Sequence, residues 1–135
     1  YIINSSRGEV VDTDALLVAL ATGKVRDVVI DTWENEPNIN QELLDVAFLA
    51  TPHIAGYSAD GKANATRMSL EALCKFFHIE ATFDIMPDKV DIHFSTDKKE
   101  AYLQAYNPKR DSEWLKASPE KFEWFRGNYP IRREI

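Results

Sequence analysis

The chain has 135 residues, 44% hydrophobic and 28% charged, and 16 Lys and Arg against 22 Asp and Glu give a formal net charge of −6. This is the composition of a modest globular fold; the acidic balance argues against a nucleic-acid surface, and no run of about 18 apolar residues offers a membrane span. A single cysteine, Cys74, leaves no partner for an internal disulfide and fits a reducing, cytoplasmic setting.

Residues 1–4 form a short apolar run of strand character that ends in Ser5-Ser6-Arg7-Gly8. Asp12 is a predicted helix cap with Asp14 in the first turn, Leu16, Ala19 and Leu20 give a helical stripe, and Gly23 is the predicted stop. A second buried-type strand, 28–30, ends in Asp31-Thr32-Trp33-Glu34-Asn35-Glu36-Pro37. The polar stretch 35–47 holds a short helix around 41–46, and a third strand, 48–50, ends in Thr51-Pro52-His53. Strand, helix and strand in this order predict a parallel crossover unit of an α/β fold. Ser58 caps a long predicted helix to residue 77, with Ala65, Met68, Ala72 and Phe76 on one stripe, Thr66, Leu70, Leu73 and Phe77 on the next, and Cys74 in the core. Beyond His78, Val90, Ile92 and Phe94 alternate with polar residues as a half-buried strand. Residues 97–106 read as a helix stopped before Pro108, and Ser118-Pro119 as the cap and first position of a last helix that carries Phe122, Trp124 and Phe125 and stops at Gly127.

The three early strands each finish in a polar group: Arg7, then Asp31 and Glu36, then His53. Ligands of open parallel sheets sit outside the carboxyl ends of the strands, so these side chains are candidates for one crevice. An Arg fork grips a carboxylate with two bonds. A His titrates near neutral pH, and a carboxylate beside it holds the ring in one tautomer and stabilises its charged form. Pro52 restricts the backbone around His53, and Gly56 allows close approach to the main chain. An Arg for an acid group and a His–Glu pair for a hydroxyl proton suit a 2-hydroxy acid. No set of residues at metal-ligand spacing accompanies His53.

The segments Ile3-Asn4-Ser5-Ser6-Arg7-Gly8-Glu9-Val10-Val11-Asp12, Asp31-Thr32-Trp33-Glu34-Asn35-Glu36-Pro37 and Thr51-Pro52-His53-Ile54, in this order, resemble the second half of the NAD-dependent D-2-hydroxy-acid dehydrogenases. The continuation His53-Ile54-Ala55-Gly56-Tyr57-Ser58-Ala59-Asp60-Gly61-Lys62-Ala63 and the tail from Phe122 to Glu134 resemble the branch of that family that serves vitamin B6 synthesis. The resemblance implies NAD as cofactor, a phosphorylated 2-hydroxy acid as substrate, and oxidation of 4-phospho-D-erythronate at C2 to 2-oxo-3-hydroxy-4-phosphobutanoate. It makes Arg7 the carboxylate grip, His53 the general base and Glu36 its partner. Asp31 is then a contact of the nicotinamide amide, or else a turn cap. Ser5, Ser6, Arg7 and Gly56 lie near the cofactor, the serines and the glycine through main-chain atoms. Tyr57 is a substrate contact, or else packing, and Lys62 and Arg67 reach the phosphate or form a solvated helix face.

The implied fold is a partial Rossmann-type parallel sheet (1–57), a long interdomain helix (58–78) and a small, incomplete α+β dimerisation domain (79–135), with a homodimer as the assembly. No G-x-G-x-x-G loop occurs, so the expectation is the C-terminal part of a longer enzyme. Other readings are a phosphoglycerate- or lactate-type member, a nucleotide-sensing corepressor, or a dimerisation piece inert by itself.

Overall fold

Three parallel strands form the centre: β1 (Ile2–Asn4), β2 (Val28–Ile30) and β3 (Leu49–Ala50), in the order β1-β2-β3. Ile2 faces Val28, Asn4 faces Ile30, and Ile30 faces Ala50. The chain, described here from a computed structural model over residues 1–87, 95–130 and 132–134, divides into two compact units. The first is Tyr1–Ala55 with Asn107–Tyr129, the second Gly56–Tyr106 with Pro130–Ile135. No helix of the described residues is long and apolar enough to cross a membrane.

In the first unit the connections follow their local signals. A 3-10 turn, Gly8–Val10, leads to α1 (Thr13–Ala21), where the Asp12 side chain accepts from the Ala15 N–H at 2.8 Å. The helix ends at Gly23, whose φ of 74° lies in the left-handed region that glycine enters without strain. α2 (Gln41–Val46) is capped in the same manner by Asn40. Strand side chains alternate, so Asn4, Val28, Ile30 and Ala50 point inward while Ile3 remains largely exposed. Leu16 of α1 and Leu43 and Leu44 of α2 pack with Val28, Ile30 and Ala50 in the core.

Two further helices complete this core. α5 (Pro108–Ala117) and α6 (Phe122–Gly127), which follow the second unit's α3 (Ala59–Phe77) and α4 (Lys98–Ala105) in the chain, contribute the fully buried Leu115 and Phe122, each worth about 1.5–3 kcal/mol of apolar transfer. The Ser112 hydroxyl accepts from the Ala50 N–H at 3.0 Å, which satisfies a donor of the edge strand. Lys116 donates to the carbonyls of Ala47 and Asp45 and so closes the C-terminal end of α2. α5 was not expected. Pro108 stops α4, but it also stands at the first position of α5 behind the cap Asn107, which accepts from Arg110 N–H. Ser118 departs from expectation as well: it makes no side-chain cap bond, its own N–H ends α5 on Trp114 and Leu115, and a 3-10 turn, Pro119–Lys121, precedes α6.

In the second unit, α3 (Ala59–Phe77) starts behind Ser58, whose hydroxyl accepts from Gly61 N–H at 2.9 Å, and ends at His78 in the left-handed conformation. None of its residues is buried; Met68, Leu73, Phe76 and Phe77 are all exposed. Cys74 is therefore half-buried rather than in a core, because the apolar face of α3 has no covering layer among the described residues. α4 (Lys98–Ala105) is capped by Asp97. The alternation expected at Val90, Ile92 and Phe94 lies outside the described residues. The sequence expectation divides the chain at 57 and 78, whereas the compact units part after Ala55 and return Asn107–Tyr129 to the first unit.

Candidate active site

The loop after β1 is built by Asn4. Its buried amide donates to the carbonyls of Arg7 and Thr32 at 2.9 and 3.2 Å and accepts from the Ser6 N–H. Gly8 presses its Cα against the next loop so closely that a Cβ there would overlap the Trp33 carbonyl. The chain thus turns back under Arg7 without room for a side chain. Ser5, Ser6 and Arg7 are exposed, and Arg7 Nη1 donates to the Ser6 carbonyl at 2.7 Å.

At the end of β2, Asp31 is buried and serves as a main-chain anchor. Its Oδ1 accepts from the Thr51 hydroxyl at 2.7 Å and from Ile54 N–H at 2.8 Å, and its Oδ2 accepts from Ala55 N–H at 3.0 Å. The Asp31 carbonyl accepts from His53 N–H at 2.8 Å. One residue therefore holds the loop 51–55 on both sides of His53. Trp33 adds a further tie, with its buried indole donating to the Thr51 carbonyl at 2.9 Å.

These ties bring His53 to Glu36. His53 Nδ1 lies 2.8 Å from Glu36 Oε2, while Glu36 Oε1 accepts from the Trp33 N–H at 2.7 Å. The two side chains are 24% and 16% exposed, so the pair is sheltered yet open to a ligand. His53 has φ of 55°, a left-handed backbone that few residues without a glycine's freedom adopt. It is held there by its N–H bonds to the Asp31 and Thr51 carbonyls. A carboxylate only accepts hydrogen bonds, so the neutral ring carries its proton on Nδ1 and presents Nε2 as the nitrogen that takes a proton.

The structure thus joins Glu36 and His53 directly. Arg7 bonds within its own loop, and the Asp31 carboxylate is directed to the Thr51 hydroxyl and to the main chain of Ile54 and Ala55. Gly56 and Tyr57 belong to the second unit. Nothing lies within 4 Å of where a Cβ on Gly56 would stand, and Lys62 Nζ lies 3.4 Å from the Tyr57 ring centroid. Arg67 bonds Asn64 and Glu71 on its own helix. Asn4, Gly8, Trp33 and Thr51 were not singled out from the sequence. A buried-strand Asn followed by a Ser-Ser-Arg-Gly turn is the one local hint for the first two.

Residues 1–55, which carry Arg7, Asp31 and the His53–Glu36 pair, match the NAD-binding domain of the D-isomer specific 2-hydroxyacid dehydrogenases. The chain also resembles erythronate-4-phosphate dehydrogenases over nearly its full length. It is 56% identical to that enzyme of Bacteroides thetaiotaomicron and 57% identical to that of Bacteroides fragilis, each over 98% of this chain and 39% of the relative. With the Porphyromonas gingivalis enzyme it shares 43% identity over 99% of the chain and 39% of the relative. The chain spans about two fifths of the length of these curated relatives. The similarity to these enzymes continues beyond α3.

Proposed function

We propose that the protein carrying this chain oxidises 4-phospho-D-erythronate with NAD to 2-oxo-3-hydroxy-4-phosphobutanoate, in the synthesis of vitamin B6. The observation that carries this reading is the His53–Glu36 pair, seated at the carboxyl ends of a parallel sheet within the segment similar to the NAD-binding domain. The likeness to enzymes named for erythronate 4-phosphate supports this substrate.

The residues fit a bound dinucleotide. Asp31 uses three acceptor positions on its own chain, and a carboxylate offers about four, so Oδ2 retains capacity for one amide donor. Ser5, Ser6 and Arg7 stand exposed at the end of β1, and Gly56 presents bare main chain. Bound NAD supplies the nicotinamide that accepts the hydride. In the chain itself, Arg7 grips the substrate carboxylate, and His53 Nε2 takes the hydroxyl proton during oxidation and returns it in the reverse direction. Glu36 holds the ring through Nδ1 and stabilises the imidazolium that forms. Tyr57 contacts the substrate. Residues 1–57 are the C-terminal part of an NAD-binding domain and 58–78 an interdomain helix; 79–135 are the incomplete dimerisation domain of a cytoplasmic homodimer, of which α5 and α6 also pack into the core of the first unit. The exposed apolar residues of α3 support an oligomer.

The experiment is turnover by the full-length protein with NAD and 4-phospho-D-erythronate, 3-phosphoglycerate or D-lactate, followed by the absorbance of the reduced cofactor. Efficient oxidation of 4-phospho-D-erythronate is expected, with much weaker activity on the other two. Equal or better use of 3-phosphoglycerate or D-lactate would overturn the substrate assignment.

A further inference from the structure

None of the 19 residues of α3 is buried, so among the described residues no core contact fixes where the helix begins. A short tail does this instead. Arg132 Nε donates to the Tyr57 carbonyl at 3.1 Å, and Ala59 N–H donates to the Arg132 carbonyl at 2.9 Å. The Ser58 hydroxyl donates to Glu134 Oε1 at 2.6 Å while it accepts from Gly61 N–H. Arg133 grips Asp60 with two bonds of 2.8 Å, Nε to Oδ2 and Nη2 to Oδ1, and Glu134 N–H adds a third donor to the same carboxylate. Each of the residues 57–60 is thus bonded to the segment 132–134. The Arg132 guanidinium is itself steadied by the Tyr106 ring, 4.2 Å from its centroid.

We propose that Arg132, Arg133 and Glu134 are positioning residues that set the pose of Tyr57 toward the phosphorylated hydroxy acid. The inference rests on the reading of Tyr57 as a substrate contact. A helix without a buried face is marginally stable, and contacts with a reacting ligand are lost over shifts of about an ångström. The tail meets both needs by fixing the first turn of α3 and the residue just before its cap. The grip does not vary in the working pH range, because the Arg133 guanidinium and the Glu134 N–H hold the Asp60 carboxyl down at about 2.

The test uses the full-length protein as wild type, Arg133→Ala, Arg133→Lys, Tyr57→Ala and the double variant Tyr57→Ala with Arg133→Ala. KM for 4-phospho-D-erythronate, KM for NAD and kcat are measured for each. Arg133→Ala is expected to raise the substrate KM at least about fivefold, with kcat and the NAD KM within about twofold of wild type. Arg133→Lys recovers part of the loss, since the charge stays and the fork goes. The double variant is no worse in KM than Tyr57→Ala, because both act through one contact. A purely structural role would lower kcat through a smaller active fraction and leave both KM values alone, which would overturn the proposal. So would a raised substrate KM in Tyr57→Ala with none in Arg133→Ala, or fully additive effects. If Arg133→Ala does not fold, Asp60→Asn is held to the same criteria. An unchanged substrate KM in Tyr57→Ala removes the substrate contact and the positioning role with it. Absence of any oxidation by the wild type instead sinks the functional reading.

Discussion

His53 and Glu36 stand 17 residues apart in the chain and meet at 2.8 Å, Nδ1 to Oε2. The second carboxylate oxygen is fixed by the Trp33 N–H, so the carboxylate cannot turn away from the ring without losing a main-chain bond. In the full-length protein, His53→Ala should lower kcat by about 10²–10⁴-fold, the usual worth of a positioned proton-transfer group. Glu36→Gln should cost about 10–100-fold, the usual effect of removing a carboxylate that orients a metal-bound His. Affinity for the reduced cofactor, read from its fluorescence, should barely change in either. A Glu36→Gln enzyme with wild-type kcat would mean that the pair is only structural.

Arg7→Lys keeps the charge at the end of β1 and loses the planar fork. For a carboxylate gripped with two bonds, kcat/KM should fall by about tenfold or more, with the NAD KM unchanged. Lysine working as well as arginine would show that the acid group is held elsewhere.

Gly8→Ala places a methyl group against the Trp33 carbonyl, which is main chain and cannot swing aside. The loops after β1 and β2 must separate. The cost should be about 1–3 kcal/mol, as for other overpacked sites, and denaturant unfolding would measure it. Activity should fall too, because the same two loops carry Arg7 and Glu36. Full stability in Gly8→Ala would show that the loops part freely.

Asp60 carries the pH signature of the α3 start. Its folded pKa, near 2, lies below the ordinary 3.8, chiefly because the Arg133 guanidinium and then the Glu134 N–H bond its charged form. The stabilisation is therefore fully present above 3.8 and is lost as pH falls through about 2. The difference in melting temperature between wild type and Asp60→Asn should be constant from neutral pH down to mild acid and then shrink. A difference that instead closes as pH rises above neutrality would assign the coupling to another group.

Much of the architecture is written locally. Asp12 and Ser58 bond N–H groups three residues ahead, so their caps need no distant partner and can be read from the chain. Gly23 marks a helix end through its own backbone freedom, and the runs 1–4 and 28–30, with Ile2 and Ile3 in one and Val28, Val29 and Ile30 in the other, announce their strands. The same local logic misled at Pro108, which ends one helix and begins another. Proline forbids the preceding residue a helical conformation yet suits a first helical position, so its meaning depends on which side is considered.

From the order of its motifs, the sequence by itself determined a parallel α/β unit and the candidates Arg7, Asp31, Glu36 and His53 at its strand ends. Only the tertiary structure decided which of those candidates meet: it joins Glu36 to His53 and leaves Arg7 bonded within its own loop. It directed the Asp31 carboxylate to Thr51, Ile54 and Ala55. It also revealed that Gly8 must be bare against Trp33, that Ser112 serves the edge strand at Ala50, and that a tail more than seventy residues away fastens the start of α3. Caps and periodic stripes act within one helical turn, so they show in the residues themselves. Bonds between segments far apart in the chain depend on the path that packing imposes, and no local pattern encodes that path.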